Sequence, residues 1–394
     1  MLTHCNSSVV LTGVVLASGC GPGGGPFDAI VARYDGDADR YEPGVERIAT
    51  LDDPGSLSGG AARFRARGDV DLAVPIPASP DVTLAELREA VWGRPGEPVH
   101  PSLATSGDVV VARDFESFGL LTLYHHVEAA EAFFESAGAE PDEVEHLDVL
   151  YLPEARVGEA AVVDNAFYVF GARALVVVHM ERLGDVPLAE NEGVIAHEVG
   201  HALFDARVMD AEAVWRRLDP DATDTDPAAT NLLDAMSEGT SDFLGAALTG
   251  DPDFLRHSVP SELVCDDDPA CLVAYPRGLA ERRVLEASWI EGAGMSRGAY
   301  ASTMYRVGTT FASALWRASE DHAQVARALV AALPPLGDEL RETPPWTNAP
   351  ASFGPAWLLG PIVSALDAST AAALCAIVAS DLEPIAAYVS ECAL

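Results

Sequence analysis

The pentapeptide His197-Glu198-Val199-Gly200-His201 constrains this chain more than any other stretch. In a helix, residues four apart lie about 40° from each other around the axis, so both imidazoles project from one face. Glu198 is rotated about 100° from His197 and stands beside that face rather than on it. The approach Asn191-Glu192-Gly193-Val194-Ile195-Ala196 continues the pattern, and a helix is expected from about Glu190 to Phe204. Small Gly200 lets that helix lie close to a neighbour. Two imidazoles on one face suit a shared metal ion. Zinc fits best, because it accepts histidine nitrogen and keeps an open position when catalytic. A motif with three fixed positions also arises by chance, and the alternative is a pair of packing or solvent-facing histidines.

A third ligand is to be sought downstream. Glu238 and Asp242 stand four apart in Asn231-Leu232-Leu233-Asp234-Ala235-Met236-Ser237-Glu238-Gly239-Thr240-Ser241-Asp242-Phe243, so on a second helix they share a face. Glu238 would complete a His₂Glu set, and Asp242 would accept a hydrogen bond from the distal N–H of a ligating histidine and fix its tautomer. The competing reading is a solvated acidic face. Glu238 stands 37 positions after His201. The intervening Asp219–Asp226 stretch has four aspartates in eight residues, which raises calcium as a second cofactor. Pro220 and Ala222 interrupt it and it lacks the glycine of a calcium-binding loop, which favours a solvated insert.

His197–His201 followed by Ser237-Glu238-Gly239-Thr240-Ser241-Asp242-Phe243 resembles the gluzincin metallopeptidases of the thermolysin and fungalysin type. The segment Asp164-Asn165-Ala166-Phe167-Tyr168 is similar to the sheet edge of those families, which implies that Asn165 and Ala166 pair with substrate backbone as an added strand. The resemblance spans roughly residues 105–320. It implies an α+β, zincin-like fold of two lobes, the first mixed α/β and the second mainly helical, with the cleft between them. It also implies zinc held by His197, His201 and Glu238, a water activated by Glu198, and protein or peptide substrates. Where these families place a transition-state histidine, the stretch Met304–Trp316 has Tyr305, whose hydroxyl can donate the same hydrogen bond. His257 is a substitute donor candidate. The alternatives are a non-catalytic surface protein that keeps the metal site, and an aminopeptidase of the same class.

Composition narrows the setting. The chain has 394 residues, 61 acidic against 24 basic side chains, all of them arginine, and a net charge of −37, which argues against nucleic-acid partners. No apolar run reaches the ~18 residues of a membrane span. Residues 1–19 read as a signal peptide with an apolar stretch Val9–Ala17, and residues 20–26 as a Gly/Pro tether. Ser18-Gly19-Cys20 resembles a bacterial lipoprotein box, so export and a lipid anchor at Cys20 are expected, the latter being the only route to a membrane. The alternative is a plain cleaved signal with an incidental cysteine. Four cysteines then remain, and two disulfides, Cys265–Cys271 and Cys375–Cys392, fit an exported chain.

Alternating strand patterns over 27–105 read as a β-rich N-terminal extension, with a removable pro-segment as the alternative. Residues 106–206 would form the α/β lobe with the active-site helix, and 207–394 the helical lobe. Within the first lobe, Leu121–Phe134 reads as an amphipathic helix, and Leu147–Leu152, Asn165–Phe170 and Ala174–Val178 as strands. Loops are expected at 218–230, 258–277 and 333–356.

Overall fold

A computed structural model describes residues 25–72, 92–141, 143–144, 146–181, 184–209, 227–259, 277–342 and 354–392, plus four isolated two-residue strands. Most of the signal segment, Cys20, the 219–226 stretch and residues 266–271 lie outside the described residues. Among the described residues, strands of four residues or more are β1 Phe27–Asp35, β2 Arg40–Ile48, β3 Ala62–Ala66, β4 Leu103–Ser106, β5 Val109–Ala112, β6 Leu147–Tyr151, β7 Glu154–Val157, β8 Ala166–Val169 and β9 Ala174–Val177. The long helices are α1 Phe115–Ser136, α2 Glu192–Phe204, α3 Pro227–Thr249, α4 Arg297–Ala318, α5 His322–Glu342, α6 Pro355–Ala365 and α7 Ala368–Asp381. The fold is α+β: strands dominate up to residue 177, and helices follow.

The main sheet runs β8–β9–β6–β3 and ends in two short strands. Strands β6 and β9 are parallel and buried along their whole length, which explains their unbroken apolar reading. Asp148 interrupts β6 and is 2 % exposed. It sits opposite Arg63 of β3, which donates to it from Nε at 2.9 Å and Nη2 at 2.6 Å. Strand β8 is antiparallel to β9 and forms the sheet's edge.

Segment 27–105, expected as a β-rich extension, shares sheets with the residues that follow it. Its strand β3 lies inside the main sheet, parallel to β6. The expected boundary at 105–106 falls within the β4–β5 hairpin, which in turn pairs with β1. One hydrophobic core accordingly runs from Phe27 to Val389.

Helix α1 begins earlier than its periodicity indicates, because Asp114 caps it by accepting from Ser117 N–H at 2.8 Å. Its Glu128 reaches across to accept from the backbone N–H groups of Ala49 and Thr50, tying β2 to the helix. Helix α5 extends to Glu342 through Pro334 and Pro335, where a loop was expected. A proline at 334 cannot donate to the carbonyl four residues back, and that acceptor, Val330 O, takes Arg207 Nη1–H at 2.7 Å instead. The helix survives because a tertiary donor replaces the missing one. A disulfide joins Cys375 of α7 to Cys392 near the C-terminus.

Two glycine positions set the distance between the site-bearing helices. A Cβ on Gly200 of α2 would stand 3.0 Å from Ser241 Oγ and 3.1 Å from Ser241 Cα on α3. A Cβ on Gly308 of α4 would stand 2.6 Å from Ala235 O and 2.9 Å from Gly239 N on α3. Helix propensity alone makes Gly→Ala favourable by about 1 kcal/mol. Gly308→Ala should nevertheless lower stability, by ~1–3 kcal/mol as for other overpacking changes. Denaturant unfolding of the two proteins measures this, and an equal or higher midpoint for the variant would show that the helices are not in contact there.

Asp381, 1 % exposed, accepts from Arg282 Nε at 2.9 Å and Arg317 Nη2 at 2.6 Å. Burial would raise its carboxyl, but these hydrogen bonds outweigh it and hold the carboxyl at about 2. A carboxyl depressed in the folded state stabilises above its unfolded value, ~3.9, and that contribution is lost as pH falls through the folded value. Asp381→Asn should therefore be less stable than the parent at neutral pH, with the gap narrowing between pH ~4 and ~2. Chemical denaturation at stepped pH reads it, and a constant gap would exclude the linkage.

Candidate metal centre

Helix α2 is fixed at its start by Asn191. The side-chain oxygen accepts Val194 N–H at 3.1 Å, while Nδ2 donates to Phe254 O at 2.8 Å and Ser258 Oγ at 2.9 Å. Tyr41 donates its hydroxyl to the same Asn191 oxygen at 2.9 Å. Helix α2 is buried along almost its whole length, which places His197 and His201 inside the protein at 5 % exposure each.

The histidines meet α3 as the spacing predicts. His201 Nδ1 lies 2.8 Å from Ser237 Oγ. His197 Nδ1 lies 3.1 Å from Asp242 Oδ1, off the line of a straight hydrogen bond. With the distal nitrogens so occupied, both Nε2 atoms turn inward, 3.1 Å apart. Glu238 completes the group, with Oε2 3.5 Å from His197 Nε2 and Oε1 3.6 Å from His201 Nε2. His197, His201 and Glu238 can thus hold a metal ion between them. Ligands about 2.0–2.1 Å from a tetrahedral zinc stand about 3.3 Å from one another, which matches these three separations. With the hydrogen on Nδ1 of each ring, both Nε2 lone pairs face the same point and can converge on one ion.

Glu198 sits beside this group, with Oε1 3.9 Å from His197 Nε2. Burial, reinforced by the charge of Glu238, pushes its carboxyl up to about 7, against the pull of His197, Arg277 and a hydrogen bond from the Tyr168 backbone N–H. Tyr168 belongs to the edge strand β8, so the sheet edge and the acid are in direct contact. The pocket beside Glu198 is lined by Asn165 and Ala166 of that edge, by Tyr305 opposite, and by Val194, Leu255 and Val259 as an apolar wall.

Arg277 is the residue that the sequence did not single out. Its Nη2 donates to Glu238 Oε2 at 2.8 Å and to Asp242 Oδ1 at 2.5 Å, and its Nε donates to Asp242 Oδ2 at 3.1 Å. Thr309 of α4 adds a hydroxyl donor to Asp242 Oδ2 at 3.1 Å. Burial would raise the Asp242 carboxyl, but Arg277 and His197 outweigh it and hold it at about 2. Burial and the charges of His197 and Arg277 push His201 well below its ordinary value, so it is neutral as a metal ligand requires. The Arg277 guanidinium lies 4.9 Å from the Tyr305 ring centre. Glu238 and burial together raise the Tyr305 hydroxyl, which stays protonated and able to donate.

His257 does not belong to this site. Its Nε2 bonds to Asp251 Oδ2 at 3.0 Å, and its ring packs against Tyr34 and Tyr41. The cause is the short 3-10 helix Phe254–His257: Leu255 points to the cleft, and His257 falls on the opposite side.

Loss of the orienting carboxylate should weaken metal binding. Asp242→Asn is expected to lower affinity ~10–100-fold, the usual effect of removing a ligand's hydrogen-bond partner. Competition with a chelator of known affinity measures it, and an unchanged constant would remove Asp242 from the centre.

Scanned against protein-family models the chain matches none, and a search of curated proteins finds no significant match.

Proposed function

We propose that this chain is a zinc-dependent endopeptidase of the gluzincin type, exported and anchored to a membrane through a lipid on Cys20. The observation that supports it most is the convergence of His197, His201 and Glu238 in one pocket with Glu198 and the edge strand of the main sheet. A structural metal site would have no need of a further, non-ligating carboxylate such as Glu198 beside it. A zinc ion held by the three ligands would supply Lewis-acid polarisation and lower the pKa of an attacking water.

The chain's own residues do the rest. The edge of β8 at Asn165 and Ala166 pairs with an extended substrate backbone and lays the scissile bond over the pocket. Glu198 takes the proton from the attacking water and delivers it to the leaving amine nitrogen. The Tyr305 hydroxyl donates to the oxygen on which negative charge develops. Ser237 and Asp242 hold the two imidazoles so that Nε2 faces inward on each. Leu255, Val259 and Val194 offer an apolar wall for one substrate side chain.

Purified protein should contain about one zinc at this centre and cleave casein. Glu198→Gln should keep that zinc and lose proteolysis. Tyr305→Phe should keep zinc and lose ~10²–10³ in kcat, as for other lost oxyanion donors. Equal activity in parent and Glu198→Gln would sink the mechanism. An inactive parent that still binds zinc would favour the non-catalytic surface protein, and an unchanged Tyr305→Phe would withdraw the role given to that hydroxyl.

A further inference from the structure

We propose that Asp39, Asp251 and His257 form a second divalent-cation site, distinct from the first, with the Tyr34 hydroxyl alongside. The three ligand atoms lie within 4.8 Å of one another. His257 Nε2 is 3.0 Å from Asp251 Oδ2 and 3.9 Å from Asp39 Oδ1, and the Tyr34 hydroxyl is 2.8 Å from Asp39 Oδ1. These separations bracket the ~3.3 Å expected between ligands of one tetrahedral ion. Asp251 and His257 are 3 % and 4 % exposed, so two of the three ligands are held in place by packing.

Charge argues the same way. Three carboxylates, Asp39, Asp251 and Asp253, face a single guanidinium, that of Arg256. Arg256 bonds to Asp39 and, at 3.0 Å, to Asp251, so it is the cation that serves the cluster in the absence of a metal. Its side chain is 38 % exposed and enters from the surface, so it can withdraw while Asp251 and His257 stay. An imidazole nitrogen among the ligands points to a borderline ion such as zinc rather than calcium or magnesium, which prefer all-oxygen sets.

The position gives the site a role. Asp39 sits at the turn between β1 and β2, whereas Asp251 and His257 flank Leu255, which lines the metal-centre pocket. The same segment seats the N-cap of α2 through Phe254 O and Ser258 Oγ. A cation here would pin the β1–β2 hairpin to the wall of the cleft and to the start of the helix that carries His197.

The test is zinc titration of the full chain after stripping with a chelator, followed by calorimetry and elemental analysis. The parent should bind two equivalents. His197→Ala with His201→Ala should lose one, and Asp251→Asn with His257→Gln should lose the other. In the His197→Ala, His201→Ala background, Arg256→Gln should lower the melting temperature in chelator and regain it on adding zinc, which a purely structural ion pair would not do. If the buried double variant fails to fold, Asp39→Asn, at an exposed position, should still weaken the second equivalent. A single equivalent in the parent, abolished by the His197/His201 changes and untouched by Asp39→Asn, would overturn the proposal. So would an Arg256→Gln variant that zinc does not restore. A single equivalent that survives the His197/His201 changes and is lost with Asp251 and His257 would instead uphold this site and overturn the reading of the first.

Discussion

The carboxylate of Asp242 is the point on which the site depends. It is 1 % exposed and, from its place on α3, meets three other parts of the chain: His197 on α2, Arg277, and Thr309 on α4. A lone carboxylate at that depth would cost several kcal/mol. Arg277 removes most of that cost and at the same time grips Glu238, so a single guanidinium sets the spacing of an orienting acid and a ligand acid. The arrangement works only if the three helices approach closely. Gly200 against Ser241 and Gly308 against Gly239 allow that approach, so backbone packing and site electrostatics are one constraint rather than two.

That constraint also gives the −37 charge a sharper meaning. Among the described residues, most of the acidic side chains are partly or fully exposed. At the candidate metal centre three carboxylates and two imidazoles crowd around Arg277, which is 13 % exposed. A divalent ion there would offset the remaining negative charge. The Asp39–Asp251–His257 cluster repeats the pattern on a smaller scale, with Arg256 in the part of Arg277.

What could be read from the sequence was local or periodic. His197 and His201 are one helical turn apart, as are Glu238 and Asp242, so their faces follow from backbone geometry. Strands β6, β8 and β9 announce themselves by buried apolar runs or by alternation. Arg277 was invisible because it meets Asp242 across 35 positions, and nothing in its neighbours marks it. Helix α5 was misread because its two prolines signal a break, and the donor that rescues Val330 O comes from Arg207, 123 positions away. His257 was misplaced for a related reason: a single 3-10 turn decides which side of the segment it faces. The N-terminal strands were recognised as strands, but their place inside the main sheet depends on the parallel pairing of β3 with β6, which no local pattern encodes.

Tyr305 shows how the surroundings can alter the meaning of a substitution. A histidine in its place would donate best when charged, and its charge would compete with Arg277 for the same carboxylates. A tyrosine donates while neutral, and Glu238 raises its hydroxyl further from ionisation. With Arg277 4.9 Å from the ring, positive charge already stands next to the phenol and need not be carried by the donor itself. On the proposed reading, the work of one charged imidazole is divided between a neutral hydroxyl that makes the hydrogen bond and a guanidinium that supplies the field. Such a division depends on Arg277 keeping its grip on Asp242. On that reading, Asp242, which stands 3.1 Å from His197 Nδ1, also governs the electrostatics beside Tyr305 through its hold on Arg277.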